Sequence, residues 1–72
     1  MKIQRVALIG GTGFVGRHLA HHLRNRGHAC RIITRHPHRH RSLRTVGEVV
    51  AADPYDATSL TAVLHGCDAV VN

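Results

Sequence analysis

The chain has 72 residues, enough for at most one domain with a modest core. Hydrophobic residues make up 43% and charged residues 19%, which excludes a disordered chain, and the apolar run Val6–Ile9 is far too short to cross a bilayer. The formal net charge of +6, with eight histidines besides, suits an anionic partner, but Phe14 and Tyr55 are the only Phe, Tyr or Trp, which argues against base stacking on single-stranded nucleic acid.

The start, Met1-Lys2-Ile3-Gln4-Arg5, leads into a strand pattern and not into a secretory leader. Ile3–Ile9 is rich in branched residues and is bounded by Gly10-Gly11, the pattern of a buried parallel strand. Phe14–Arg26 follows as a helix. Val15, Leu19 and Leu23 recur every four residues on its inner face, with Arg17, His21 and Arg24 toward water, and Gly27 stops it. Ala29–Thr34 is a second strand. Arg35–Arg44 is basic and contains Pro37, so it reads as a loop with one short helix beginning near that proline. Glu48–Ala52 is a third strand, and Asp53-Pro54 marks a turn. Asp56 or Thr58 caps a helix to about His65, with Leu60, Val63 and Leu64 inward and Gly66 at its end. Ala69–Val71 opens a fourth strand. Cys30 and Cys67 lie in or beside apolar strand segments without metal-ligand spacing. They read as reduced thiols of a soluble, cytoplasmic protein.

The order β-α-β-α-β-α-β predicts an α/β fold with a parallel sheet and right-handed crossovers. Between the first strand and the first helix stands Gly10-Gly11-Thr12-Gly13-Phe14-Val15-Gly16. A glycine turn in that context is the Rossmann signature of pyrophosphate binding. Gly10 permits the turn off the strand, Gly13 lets backbone amides approach the phosphates, and Gly16 lets the helix pack closely. The segment parses as G-x-G-x-x-G from Gly11 or G-x-x-G-x-x-G from Gly10, and both registers stand. No Gly-Lys-Ser/Thr follows, which excludes a Walker phosphate loop.

In such a fold the end of the second strand meets the ribose on the adenine side. An acidic residue there binds the 2′-hydroxyl of NAD, and a basic one accommodates the 2′-phosphate of NADP. Thr34-Arg35 stands at that place, and no Asp or Glu lies between Gly16 and Glu48. Arg35 is the candidate 2′-phosphate ligand, because guanidinium offers a planar bidentate fork. Arg39 is a second candidate, and the competing reading of Arg35 is one more solvated cation. NADP(H) is thus favoured, with NAD(H) the alternative.

Four stretches carry a family resemblance: Ala7-Leu8-Ile9-Gly10-Gly11-Thr12-Gly13-Phe14-Val15-Gly16-Arg17-His18-Leu19, Ile32-Ile33-Thr34-Arg35, Ala52-Asp53-Pro54-Tyr55-Asp56-Ala57-Thr58-Ser59-Leu60 and Gly66-Cys67-Asp68-Ala69-Val70-Val71-Asn72. Together they resemble the extended and atypical short-chain dehydrogenase/reductases, a superfamily that includes sugar-nucleotide epimerases and NmrA-like sensors. The nearest-looking branch is the dehydrogenase-like accessory subunits of respiratory complex I. The resemblance implies that residues 1–72 are the amino-terminal half of an NAD(P)-binding Rossmann domain. It also implies that Asp53 approaches the adenine, although a turn-forming Asp before Pro54 explains that residue equally well. Asp56 matches the helix-start aspartate, and Asn72 matches the strand end that runs past the cofactor. Catalytic members carry Tyr-x-x-x-Lys further on. Here Tyr55 is followed four positions later by Ser59, so no catalytic residue is assigned and Tyr55 reads as a surface turn residue.

His18 and His22 stand one helical turn apart, and His36, His38 and His40 alternate so as to share one side if extended. No carboxylate or cysteine completes either set, so solvated histidines are expected and no metal site is assigned. Two functions follow: part of an NADP(H)-dependent reductase, epimerase or dehydratase, or a non-catalytic nucleotide-binding sensor or assembly subunit. Nucleic-acid or anionic-surface binding by the basic helix and loop ranks last, and no nucleic-acid partner is expected. Strand four is expected to need cover from a carboxy-terminal half or a partner chain, and the chain alone to bind nucleotide weakly or be unstable.

Overall fold

The computed structural model describes residues 4–72. Four strands form one wholly parallel sheet: β1 (Arg5–Ile9), β2 (Ala29–Thr34), β3 (Glu48–Ala51) and β4 (Ala69–Val71), in the order β3-β2-β1-β4. Helix α1 (Phe14–Asn25) joins β1 to β2, a 3₁₀ segment (Pro37–Thr45) joins β2 to β3, and helix α2 (Ala57–Leu64) joins β3 to β4. This is the expected α/β Rossmann arrangement. The strand order reverses at β1, whose neighbours β2 and β4 leave on opposite sides. In such sheets the crevice at the carboxyl ends of the strands beside the reversal receives ligand.

The predicted elements differ from the observed ones at their ends. Of the expected first strand Ile3–Ile9, Ile3 lies outside the described residues. The expected α1 ends one residue early, with Arg26 as its cap. The expected third strand ends one residue early at Ala51; Ala52 is buried against α2, and its N–H still donates to the Thr34 carbonyl (3.0 Å). The short helix near Pro37 is a 3₁₀ segment broken at His40 (φ −127°, ψ 36°).

Strand alternation sends side chains to both faces. Val6, Leu8, Cys30 and Ile32 face α1 and the 3₁₀ segment, where Ala20, Leu43 and Val46 complete the cluster and Leu19 and Leu23 pack against it. Ala7 and Ile33 face the other way, toward Ala52, Leu60, Val63 and Leu64. Each fully buried Leu or Ile contributes about 1.5–3 kcal/mol of transfer free energy. Both cysteines are free: Cys30 is buried, and burial pushes its thiol pKa up; Cys67 is half-buried.

Val15 breaks the expected α1 pattern. It is 77% exposed, and Ala20 is the helix's buried residue. In the first turn of α1, Phe14 and Val15 are exposed, and Val15 borders a hollow between the helix start and the ends of β1 and β4 instead of filling it. The helix stripe reaches the core only from Leu19 onward.

Arg31 was not singled out in the sequence, yet it ties three elements together. From the middle of β2 it donates to Glu48 Oε1 (2.7 Å) on β3 and to the Val63 and His65 carbonyls (2.8 Å each) at the end of α2.

Candidate functional site

The glycine turn is built from backbone constraints. β1 ends into Gly10, whose φ of +73° belongs to the left-handed region that side-chain-bearing residues avoid. Its N–H still donates to the Ile33 carbonyl (3.3 Å), so the turn is anchored to β2 as the chain leaves the sheet. Gly11 and Gly16 then come together: a Cβ on Gly16 would stand 2.5 Å from the Gly11 Cα. The close approach expected of Gly16 is therefore made to the turn itself. Gly10 is thus required for its torsion and Gly16 for this contact, while a Cβ on Gly11 would stand 2.9 Å from the Leu8 Cβ. Arg17 Nε donates to the Thr12 carbonyl (3.3 Å) and braces the loop.

Gly13 is the N-cap of α1, with no side chain capping the helix and no acidic residue in the first turn. The first helical bond is from Arg17 N–H to the Gly13 carbonyl (2.9 Å), so the amides of Phe14, Val15 and Gly16 have no partner within the helix. A Cβ on Gly13 would meet nothing within 4 Å. Open space in front of unpartnered amides at a helix N-terminus suits a phosphate. By this test the residues present fit a dinucleotide's pyrophosphate. Phe14 is 77% exposed and leans edge-on against His18 (ring centroids 4.4 Å apart).

Two hollows flank the turn at the carboxyl ends of the strands. The larger, about 580 Å³, lies between the β1 and β2 ends and is lined by Gly10, Thr12, Thr34, Arg35, Tyr55 and Asn72, among others. The smaller, about 230 Å³, lies under the start of α1 and is lined by Gly10, Gly11, Val15, Gly16, Val71 and Asn72, among others. Gly10 and Asn72 border both, so together they make a trough across the end of β1. Asn72 thus stands where the resemblance put it, at the strand end beside the trough.

Arg35 is held on two sides. Its Nη2 donates to Asp53 Oδ1 at 3.2 Å, and its guanidinium lies over the Tyr55 ring, 5.3 Å from the centroid. Asp53 accepts the Tyr55 backbone N–H (2.9 Å), which makes it a turn-forming aspartate, and its own N–H donates to Ser59 Oγ (3.2 Å). The Tyr55 N–H holds the Asp53 carboxyl below its usual range; desolvation opposes it, and the Arg35 hydrogen bond and charge add to the lowering. Asp53 borders a shallow hollow with Arg35, Ala51, Ala52 and Ser59, apart from the larger cleft.

Three cleft residues were not expected there. Tyr55 is 88% exposed, as a turn residue should be, but it walls the cleft and carries Arg35 on its ring. His36 and His40 also line the cleft. The segment coils as a 3₁₀ helix instead of extending, so the three histidines do not alternate along one side: His36 and His40 face the cleft, and the His38 ring lies 6.2 Å from that of His36 without lining it. The one available sign was Pro37, which starts that coil. On α1, His22 Nε2 accepts from Arg26 Nε (3.1 Å) while His18 packs on Phe14, so the two imidazoles serve different neighbours. Among the described residues no group of three or more His, Cys, Asp or Glu could hold a metal ion, and no helix is long and apolar enough to cross a membrane.

A protein family described as NAD(P)H-binding matches residues 10–72. Two solved structures are similar to the chain. A Bacillus halodurans protein described as an NAD-dependent epimerase/dehydratase superposes with a TM-score of 0.81 at 29% identity, over 93% of this chain and 31% of that one. A Burkholderia pseudomallei protein described as exported superposes with a TM-score of 0.81 at 32% identity, over 94% of this chain and 30% of that one. The chain thus spans about a third of the length of either. No curated protein matches it.

Proposed function

We propose, for a chain that belongs to the NAD(P)H-binding family, that it takes NADP(H) in preference to NAD(H). In this reading residues 1–72 are the cofactor-receiving part of one Rossmann domain in an oxidoreductase or epimerase of the short-chain dehydrogenase/reductase type. A further segment or partner chain supplies the substrate side and covers β4. The pyrophosphate rests on the turn Gly10–Gly16, with the open amides of Phe14, Val15 and Gly16 as donors. The adenosine half lies in the larger cleft, with Asp53 near the adenine. The same reading puts the chain in the reducing cytoplasm, where Cys30 and Cys67 stay as thiols.

One observation carries the preference. Arg35 stands at the end of β2, half-exposed at the lip of the cleft, and no acidic residue lies between Gly16 and Glu48 to claim a ribose 2′-hydroxyl. Its stack on Tyr55 and its bond to Asp53 hold the guanidinium in place, so little side-chain freedom remains to be lost on binding a phosphate. Titration of wild type and Arg35→Ala with NADPH and NADH tests this. Wild type should bind NADPH more tightly, and the variant should lose that margin, about tenfold for a charge-assisted contact. Equal binding of both cofactors by wild type would overturn it.

A second reading keeps the same cofactor site without the chemistry. In it the protein is a non-catalytic nucleotide-binding sensor or assembly subunit, as the likeness to complex I accessory subunits suggests. Stable NADPH binding without turnover in the presence of carbonyl substrates would favour it. Turnover that depends on a Tyr-x-x-x-Lys pair elsewhere in the protein would favour the enzyme.

A further inference from the structure

The basic stretch after β2 brings more than Arg35 to the cleft. His36 follows directly, with its backbone N–H held by Thr34 Oγ1 at 3.2 Å. The 3₁₀ coil begun by Pro37 then breaks at His40, and His40 lines the cleft together with His36 and Arg35. His40 is half-buried there, while His38 is exposed and does not line the cleft.

We infer that His36 and His40 form a second part of the 2′-phosphate site, in which His36 takes up a proton with the ligand, so that discrimination of NADPH from NADH sharpens as pH falls through the histidine range. This rests on the reading of Arg35 given above.

The charges around these imidazoles set the sign. The end of β2 contributes Arg35. The 3₁₀ segment contributes Arg39 and His38. The β3–α2 turn contributes Asp53 and the neutral Tyr55, and the glycine turn contributes only Thr12. Asp53 is committed to Arg35 and the Tyr55 N–H, and among the described residues neither histidine is ion-paired with a carboxylate. His36 is held below its ordinary value, chiefly by Arg39, then by desolvation and by His38, Arg35 and His40. These neighbours therefore favour the neutral imidazole. A 2′-phosphate brings a charge near −2, which outweighs the surrounding cations and favours the imidazolium. NADPH binding then takes up protons, and NADH, which lacks that phosphate, does so much less.

The test is titration of the full chain with NADPH and NADH between about pH 8.5 and about pH 6.3, where the phosphate itself begins to protonate near pH 6 and the histidine double variant measures that share. In wild type the ratio of the NADH Kd to the NADPH Kd should rise about three- to tenfold toward acid, the scale of one or two solvated ion pairs. The double variant His36→Asn/His40→Asn should keep the ratio found at high pH, which belongs to Arg35, and lose the rise. His36→Lys/His40→Asn should restore a high ratio that no longer depends on pH. A flat wild-type profile, or a rise that survives in the double variant, overturns the role of the histidines while leaving Arg35 standing. No NADPH preference at any pH overturns both.

Discussion

Asp53 and Arg35 show how one pair of side chains can serve turn and ligand site together. Asp53 shapes the turn through the Tyr55 N–H and holds Arg35 at the lip of the cleft. Its carboxyl pKa is lowered on folding, first by that N–H and then by Arg35. A group whose folded pKa lies below its unfolded value stabilises the fold above the unfolded value, near pH 4, and loses that contribution as pH falls through the folded one. The pair is solvated, so the effect is small. Asp53→Asn should be slightly less stable than wild type at about pH 6, and the gap should close by about pH 3. Paired urea midpoints at the two pH values check this, and an undiminished gap in acid would contradict it. Arg35 itself was legible from its place after the second strand. Tyr55 was not, because its role comes from a cation folded onto its ring from a residue twenty positions earlier in the chain.

At the scale of elements, the strands were the easiest to read. Branched runs such as Ile32-Ile33 sit between turn residues and are buried on both sides, so their hydrophobicity is continuous. The glycine turn was legible for a related reason: its glycines answer to backbone torsion and contact, which leave few substitutes. Val15 misled because periodicity gives the face of a helix but not whether the space beneath that face is filled. Arg31 was hidden by its charge, since an arginine within a strand gives no sign of the partners its length can reach. Its guanidinium satisfies the Val63 and His65 carbonyls at the end of α2, where a cation also faces the favourable end of the helix dipole. Helix α2 has only eight residues, too few to persist without such ties, and its start is held by Asp56 accepting the Thr58 and Ser59 amides. Arg31→Met should therefore cost about 1–3 kcal/mol and speed amide exchange in α2 more than in α1. Equal exchange in both helices would show that Arg31 does not hold α2.

For the molecule as a whole, the sheet order places β1 at the centre, and the glycine turn continues directly from its end. The trough is then a consequence of topology: β2 and β4 flank β1 on opposite sides, and the two hollows that Gly10 and Asn72 border open at its carboxyl end. The outer side of β4 has no neighbour among the described residues, and Val70 and Val71 are 49% and 41% exposed. Such an edge is open to pairing with another chain. The chain alone should associate as its concentration rises, and Val70→Lys should shift sedimentation back toward the monomer. A wild type that stays monomeric throughout would contradict this.

The central claim is that the helix amides behind Gly13 receive the dinucleotide's phosphates, and Gly13→Asp tests it directly. The position has ordinary extended torsions (φ −79°, ψ −179°), a Cβ there meets nothing, and aspartate is a favoured N-cap. The variant should melt at or above the wild-type temperature. Its carboxylate would occupy the amides and repel the phosphates, so affinity for NADPH and NADH alike should fall by about tenfold or more. Unchanged affinity for both cofactors in a stably folded Gly13→Asp chain would contradict the account.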